Sequence, residues 1–261
     1  MRQVGFVVIL LTVFVATSAF SALIDDNVVL YLPFDEGSGK VAKDHSKFKN
    51  DGVIHNTKWV NGKYDGGVEF NGKDAEVRVK DDRKSFSLEQ VTLEVWYNPG
   101  TEGTGPGWRV VINKAWNEWY LYLKDSQPMF FINSDVNNAT SPDKIPKNKW
   151  VHLAGTYDGK EIKMYANGKL KATSKYSGAI LDRDCTLQIG SRHPNPVKDE
   201  GCAGNNLYWS PVGVRMDEVR VSNVARTQKE IQRSMGSGAT AVDPSGKMAT
   251  TWSLVRTRYF R

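Results

Sequence analysis

The sequence predicts an all-β protein, built as a two-sheet antiparallel sandwich or jelly roll with one short helix near its C-terminus. Dipeptides that tolerate the positive φ angles of tight turns punctuate the chain, namely Asn61-Gly62, Asn71-Gly72, Asp158-Gly159 and Asn167-Gly168. Segments that mix β-branched and aromatic residues with partial alternation indicate strands; the clearest are Val28–Phe34, Glu76–Val79, Val91–Tyr97, Trp119–Leu123 and Trp150–Tyr157. Many short strands separated by turns favour a sandwich or jelly roll.

Two local patterns predict element boundaries. The segment Glu161–Thr173 is interrupted by Asn167-Gly168, which predicts a hairpin with a two-residue turn. Thr227 and Glu230 form a capping box, in which each side chain satisfies a backbone N–H at the start of a helix. The helix is therefore predicted over about Gln228–Met235.

Two long polar segments are predicted to be loops. They are Ser134–Asn148 and Ser191–Val212, and loops of this length often have a function. Among the tryptophans, Trp59, Trp96 and Trp150 are expected in the core.

The length of 261 residues suits one large β domain that buries a substantial core. The chain begins with a basic residue, an apolar run and small residues, which is the order of a secretory signal peptide. Residues 1–21 are therefore predicted to be removed, by cleavage after Ser21 or after Ala19. The alternative is a retained membrane anchor, although the apolar run is short for a bilayer span. Residues 22–235 form the predicted domain, and residues 236–261 form a basic C-terminal tail.

The charge pattern does not predict a nucleic-acid partner. The net charge of +6 is modest, and the basic residues are scattered instead of forming a stripe. No later segment is apolar enough to span a bilayer, so no stable membrane insertion is expected once the signal is removed. The predicted location is secreted, extracellular or periplasmic.

Cys185 and Cys202 are the two cysteines of the chain. Export favours a disulfide between them. The alternative is a reactive or metal-binding thiol, although this spacing matches no common metal pattern.

A series of phrases from Tyr31 to Val221 resembles one family. They read YLPFDEGSG, KDHSKFKNDGVI, YDGGVEFNG, VTLEVWYNP, KWVHLAGTYDGKEIKMYANGKL and MDEVRVSNVAR. In that order they resemble the laminin-G-like jelly roll of the concanavalin A-like lectin and glucanase superfamily. The resemblance implies a secreted recognition module for glycans, often with bound calcium.

Carboxylates near the first and last strands form a candidate calcium site. A jelly roll often places these strands together, and carboxylate and carbonyl oxygens are the ligands that calcium prefers. The resemblance implies ligands at the end of the first strand and on the last strand, which Asp35 and Asp217 match best, with Asp44 as a third candidate. The alternative is that these acids cap turns and pair with basic residues such as Arg215.

A glycosidase is the enzymatic alternative. Glycan cleavage needs two carboxyl groups across one bond, and the glucanases of this superfamily place them in a Glu-x-Asp-x-x-Glu strand pattern that this sequence lacks. Glu94 and Glu118 are lone acids, Gln188 is the one polar residue of its strand, and His152 is expected to be structural. No enzymatic activity is predicted.

Aromatic residues are the better indication of a ligand site. Sugar rings stack on indoles while amide side chains bind their hydroxyls, so an apolar wall with a few polar groups is the expected pocket. The candidate ligand residues are Trp116, Asn133 and Trp209. The predicted function is a non-catalytic module that binds a glycan with structural calcium; the alternative partner is an extracellular protein, for adhesion.

Overall fold

The computed structural model describes residues 24–80, 85–101, 107–114, 118–183, 185–191 and 212–236. The predicted signal peptide, almost all of the basic tail, and Trp116, Cys202 and Trp209 lie outside these ranges. No helix within the described ranges is long and apolar enough to cross a bilayer.

The described residues form sixteen strands and one helix. The first eight strands are β1 (Val28–Leu32), β2 (Val41–Ala42), β3 (Gly52–His55), β4 (Lys58–Asn61), β5 (Gly66–Asn71), β6 (Glu76–Val79), β7 (Val91–Asn98) and β8 (Trp108–Asn113). The others are β9 (Trp119–Lys124), β10 (Gln127–Ile132), β11 (Ser134–Thr140), β12 (Val151–Tyr157), β13 (Glu161–Ala166), β14 (Lys169–Lys175), β15 (Leu187–Ile189) and β16 (Val212–Ser222), followed by α1 (Gln228–Met235).

The strands form two antiparallel sheets, as the sequence predicts. Sheet A has the order β14-β13-β12-β7-β16-β5-β4, and sheet B has the order β11-β10-β9-β8-β15-β6-β3-β2. The long strand β16 pairs with β5 through its first half and with β1 through its second half. The first and last strands are therefore neighbours, and the pairing changes near Glu218, which has a φ of 56°.

Alternation along each strand divides its side chains between the core and an outer face. On β9, Trp119, Leu121 and Leu123 enter the core between the sheets, whereas Tyr120 and Tyr122 lie on the outer face of sheet B. Because successive side chains of a strand point to opposite faces, the phrase WYLYL contributes side chains to both the core and the outer face of sheet B.

Helix α1 covers part of the outer face of sheet A. Its buried residue Ile231 packs against Ala154 and Tyr165 of two neighbouring strands. The predicted capping box is present, because Thr227 and Glu230 each accept from the other's backbone N–H. The helix bounds agree with the prediction.

The prediction of a loop over Ser134–Asn148 is wrong, because Ser134–Thr140 forms the edge strand β11. Only Ala139 of this strand is buried and enters the core. The other side chains are partly or fully exposed, so the sequence shows no apolar alternation there.

The expected core positions of the tryptophans are only partly correct. Trp59 packs against the core while partly buried. Trp150 is half-buried and is not a core residue. Trp96 is buried, but it lies on the outer face of sheet A, where Lys63 Nζ is 4.6 Å from its ring centroid.

Candidate functional site

The outer face of sheet B has an aromatic cluster, formed by Trp108, Val110, Tyr120, Tyr122, Met129 and Phe131. Tyr120 stacks on Phe131 with ring centroids 4.6 Å apart and an interplanar angle of 15°. Trp108 and Met129 are partly buried, and Lys124 Nζ is 5.2 Å from the Trp108 ring centroid. Tyr120, Tyr122 and Phe131 are buried, so the partly buried Trp108 and Met129 are the members of this cluster that reach solvent.

A chain of polar side chains borders this aromatic cluster. Tyr122 Oη donates to Asn113 Oδ1 at 2.8 Å, and Asn113 Nδ2 donates to Gln188 Oε1 at 3.5 Å. Gln188 is opposite Arg78 in the next strand, and Arg78 forms an ion pair with Glu76. Aromatic rings and amide groups therefore lie side by side across four adjacent strands.

Two of the predicted ligand residues belong to segments of the chain that adjoin strands of this face. Trp116 follows Asn113, the last residue of β8, by three positions. Trp209 belongs to the segment between β15, which contains Gln188, and β16. Their ligand roles stay predictions, because both tryptophans lie outside the described residues.

The third predicted ligand residue, Asn133, lies elsewhere and bonds to the protein itself. Its Nδ2 donates to Tyr176 Oη at 2.8 Å and to the carbonyl of Ala179 at 2.7 Å, and its Oδ1 accepts from Leu181 N at 2.9 Å. The amide thus fixes the segment after β14. Its role as a ligand residue also stays a prediction.

Sequence reasoning missed Tyr122 and Asn113. A usable signal was present, because alternation in WYLYL puts Tyr120 and Tyr122 on one face, opposite Trp119 and the leucines. The pairing of Asn113 with Gln188 depends on strand order, which local sequence does not specify.

The candidate calcium residues Asp35 and Asp217 lie near one turn. Asp217 Oδ2 accepts from the backbone N–H groups of Lys63 and Tyr64 at 2.8 and 3.0 Å. Asp35 Oδ1 accepts from Gly66 N, at the end of the same turn where β5 begins, at 2.8 Å. The turn between β4 and β5 therefore links the end of the first strand to the last strand.

The carboxyl of Asp217 has an unsatisfied oxygen. The residue is 1% exposed, and its Oδ1 is buried without a hydrogen-bond partner. Burial raises the pKa of Asp217 to about 8, and the nearby carboxylates of Glu218 and Asp35 contribute to the increase. Burial also raises the pKa of Asp35. The ionised forms of Asp217 and Asp35 are thus destabilised, and Asp217 has a buried oxygen without a hydrogen-bond partner. Both features favour binding of a cation.

The turn approaches these groups so closely that glycine is required. A Cβ on Gly62 would lie 1.7 Å from the carbonyl oxygen of Gly66 and 2.6 Å from Asp217 Oδ2. A Cβ on Gly66 would lie 2.2 Å from the carbonyl oxygen of Phe34. The carbonyl oxygens of Gly66 and Phe34 therefore lie beside this turn, and calcium accepts backbone carbonyl oxygens as ligands.

Asp44 has a different environment from the other two candidates. Its carboxylate accepts from the backbone N–H groups of Tyr31, Ser46 and Asn50 at 2.8 to 2.9 Å, and from Ser46 Oγ at 2.7 Å. These contacts occupy both oxygens. Among the described residues, no three His, Cys, Asp or Glu side chains form a group that could hold a metal, so Asp44 does not join Asp35 and Asp217 in one cluster.

A buried polar network lies between α1 and sheet A. Ser234 Oγ donates to Glu94 Oε2, and His152 Nε2 lies 3.4 Å from the same oxygen. Burial lowers the pKa of His152 well below its usual range, and the charge of Arg220 contributes; burial raises the pKa of Glu94. A cavity of about 60 Å³ adjoins this network. The expected structural role of His152 agrees with these contacts.

The lowered pKa of His152 predicts that the wild-type protein loses stability in acid. The unfolded chain takes up a proton as the pH falls through about 6.5, whereas the folded protein does not. Relative to His152→Gln, the wild-type free energy of unfolding should therefore fall by about 2 kcal/mol between pH 7 and pH 5. Urea unfolding of both proteins at each pH measures the difference; a pH-independent difference would contradict the prediction.

Glu118 is another buried acid, directly before β9. Its Oε1 accepts from Arg183 N at 2.5 Å. Burial raises the pKa of Glu118 to about 7, against the opposing charge of Lys114. Lys114 is fully buried and donates from Nζ to the carbonyls of Arg183 and Cys185 at 3.1 and 2.5 Å. The group fixes the segment that leads into β15.

Cys185 is buried beside this group, and it is not a free thiol. Its predicted partner, Cys202, lies outside the described residues. The Cys185–Cys202 disulfide therefore stays a prediction.

A laminin G family, described as the concanavalin A-like lectin/glucanases superfamily, matches residues 71–232. This is more than half of the chain, and the protein therefore belongs to that superfamily. Membership confirms the resemblance carried by the six phrases.

Curated relatives include pappalysin-1 of Homo sapiens, which is 26% identical over 216 residues, covering 72% of this chain and 12% of the relative. Pappalysin-1 of Mus musculus is 26% identical over 192 residues, covering 64% of this chain and 11% of the relative. The chain thus spans about an eighth of the length of these relatives.

Solved structures with this fold include several binding domains. The binding domain of Paraclostridial Mosquitocidal Protein 1 has a TM-score of 0.61 at 16% identity, covering 80% of this chain and 52% of that chain. Domain 4 of a GH43 extracellular arabinanase from Geobacillus stearothermophilus, in complex with arabinotriose, has a TM-score of 0.60 at 18% identity, covering 79% and 97%. The binding domain of Botulinum Neurotoxin DC, in complex with SialylT, has a TM-score of 0.60 at 14% identity, covering 82% and 52%. At these identities the similarity shows the fold.

Proposed function

We propose that this protein is a secreted, non-catalytic recognition module that binds an extracellular glycan on the outer face of sheet B. The observation that supports this most directly is the aromatic cluster beside the polar chain from Tyr122 through Asn113 to Gln188. The partly exposed ring of Trp108, packed on the buried rings of Tyr122 and Phe131, would offer an apolar surface to the C–H face of a sugar. Trp116 and Trp209, which are joined by the chain to strands of sheet B, are included in the proposal as further ligand residues.

The fold neighbours support a binding role. They include an arabinanase domain in complex with arabinotriose and a neurotoxin binding domain in complex with SialylT. Fold alone does not specify function, so the proposal depends on the side chains of sheet B.

The positions of the two lone acids support a non-catalytic role. Glu94 belongs to sheet A and bonds to Ser234 of α1, whereas Glu118 lies beside sheet B and bonds to the backbone of Arg183. Hydrolysis by two carboxyl groups needs both within about 10 Å across one glycosidic bond. Acids on different sheets, each engaged by the protein, do not suit that geometry.

We include a structural calcium ion in the proposal. The unpartnered Asp217 Oδ1, the nearby Asp35 carboxylate and the crowded backbone carbonyls fit an oxygen-ligating cation. Asp217 and Asp35 would hold the ion, and Asp44 would instead organise its own turn. Bound calcium would neutralise the two carboxylates and fasten the β4–β5 turn to the first and last strands.

Binding through the outer face of sheet B predicts that Trp108→Ala weakens glycan affinity about tenfold or more, because a buried aromatic contact is worth at least about 1.4 kcal/mol. A glycan array that includes arabino-oligosaccharides identifies a ligand, and calorimetry then measures the affinity of each variant. Trp150→Ala, which removes a half-buried tryptophan directly before β12, is the matched control and should bind normally. Unchanged affinity in Trp108→Ala would contradict this site.

A protein partner is the second candidate function. Val136 on β11 is 84% exposed and Leu170 on β14 is 45% exposed, and these are edge strands of the two sheets. A related binding domain, of Botulinum neurotoxin DC, is known in complex with rat synaptotagmin II. This candidate would be favoured if no glycan on the array binds and the protein captures a partner protein that Val136→Lys no longer captures.

A further inference from the structure

A separate groove lies at one end of the β13–β14 hairpin. It has a volume of about 410 Å³ and is lined by Lys160, Glu161, Lys175, Tyr176 and Ser177. Ligand pockets commonly measure about 300–1,000 Å³, so the groove suits a small unit such as one or two sugar rings. It belongs to sheet A and is distinct from the outer face of sheet B.

Tyr176 gives the groove a fixed aromatic wall. The residue is half-buried, its backbone N–H donates to the carbonyl of Lys160 at 3.0 Å, and its ring lies 5.7 Å from the ring of Tyr157. Its hydroxyl accepts from Asn133 Nδ2 at 2.8 Å. Asn133, which the sequence suggested as a ligand residue, therefore positions a ring that borders the groove.

The charge of the groove is positive. Lys160 and Lys175 are exposed, and neither ammonium has a hydrogen-bond or ion-pair partner among the described residues. Glu161 is opposite Lys175 in the hairpin, but its carboxylate forms an ion pair with Lys163 at 2.8 Å. Asp158 accepts from the backbone N–H groups of its own turn. Two lysines are thus available to an anionic ligand.

We propose that this groove is a second binding site, which takes an anionic saccharide. The sugar ring lies against Tyr176, Lys160 and Lys175 bind its carboxylate or sulfate, and Ser177 contacts a hydroxyl. A single tyrosine ring with two lysines beside it matches a compact charged sugar. An extended acidic peptide would need a longer row of basic residues. The site is independent of the glycan face proposed above.

The test uses the mature protein and four probes: an oligogalacturonate, a sulfated oligosaccharide, neutral arabinotriose and an acidic peptide such as oligoglutamate. Affinities are measured by calorimetry at low and high salt, and chemical shifts of backbone amides locate the contact. Tyr176→Ala should weaken binding of the anionic sugar about tenfold or more. Lys160→Gln with Lys175→Gln should weaken it roughly three- to tenfold and reduce its salt dependence.

Two control variants separate this site from its surroundings. Lys171→Gln removes a lysine of β14 that is paired with Asp143, and it should leave the affinity unchanged. Trp150→Ala, which removes a half-buried tryptophan outside both proposed sites, should also leave it unchanged. Thermal melting of each variant checks that it is folded.

The carboxylated and sulfated probes identify which anionic group the lysines prefer, and tight binding of either one supports the proposal. Equal binding of arabinotriose, tighter binding of the acidic peptide, or an anionic sugar affinity that the double lysine variant leaves unchanged would overturn it. Absence of binding by every anionic sugar would also overturn it.

Discussion

Reduction of the predicted Cys185–Cys202 disulfide should lower the free energy of unfolding by about 3 kcal/mol. Without the crosslink, the segment from Cys185 to Cys202 is no longer a closed loop, and the unfolded chain gains conformational entropy. Cys185 lies just before β15, and its carbonyl accepts from the buried ammonium of Lys114. The crosslink would therefore tie the segment that contains Trp209 to the middle of sheet B. For a domain of this size the melting temperature should fall by roughly 6–12 °C.

Melting of the exported protein with and without reductant measures this effect. The double variant Cys185→Ser, Cys202→Ser is the control: it should melt near the reduced wild type and be insensitive to reductant. Free thiols at both cysteines in non-reducing mass spectrometry, or identical melting curves, would contradict the disulfide.

The sequence predicts the sheets well where one face is apolar. In β7, β9 and β12, side chains that enter the core are β-branched, aliphatic or aromatic, and turn residues mark the strand ends. The edge strand β11 escapes prediction because Ala139 is its one buried residue. Its pairing with β10 depends on backbone hydrogen bonds, which leave little trace in the amino-acid pattern.

Burial of tryptophan illustrates another limit of sequence reasoning. Trp96 is as buried as a core residue, but it lies outside the sandwich, between Lys63, Tyr64 and His152. That environment exists because the β4–β5 turn folds over sheet A. Hydrophobicity alone predicts burial and does not distinguish the two places.

The candidate metal residues show what topology adds. Asp35 and Asp217 are 182 positions apart, and the expectation that a jelly roll brings the first and last strands together is met by the pairing of β1 with β16. Asp44 also follows β1, nine positions after Asp35. Its separate role follows from hydrogen bonds to Tyr31, Ser46 and Asn50, a local turn that the sequence does not reveal.

Calcium should stabilise the mature domain by about 2.7 kcal/mol when its concentration is about 100 times the dissociation constant, provided that only the folded state binds it. Extracellular calcium modules bind at roughly 10⁻⁴–10⁻³ M, so the concentrations needed are in the millimolar range or above. The physical reason lies in Asp217, whose buried Oδ1 has no partner and whose carboxylate is close to those of Asp35 and Glu218. A cation would remove this repulsion.

Thermal melting after exhaustive chelation, followed by calcium titration, measures the stabilisation. Asp217→Ala should abolish the calcium-dependent shift of the melting temperature. Asp44→Asn is the matched control, because it replaces a buried carboxylate whose oxygens already accept hydrogen bonds from backbone N–H groups. This variant should have a lower melting temperature in every buffer and keep the calcium-dependent shift. If Asp44→Asn removes the shift while Asp217→Ala preserves it, the ion is bound elsewhere. If the chelated wild type does not respond to calcium at all, Asp35 and Asp217 serve only to fasten the β4–β5 turn through their backbone hydrogen bonds.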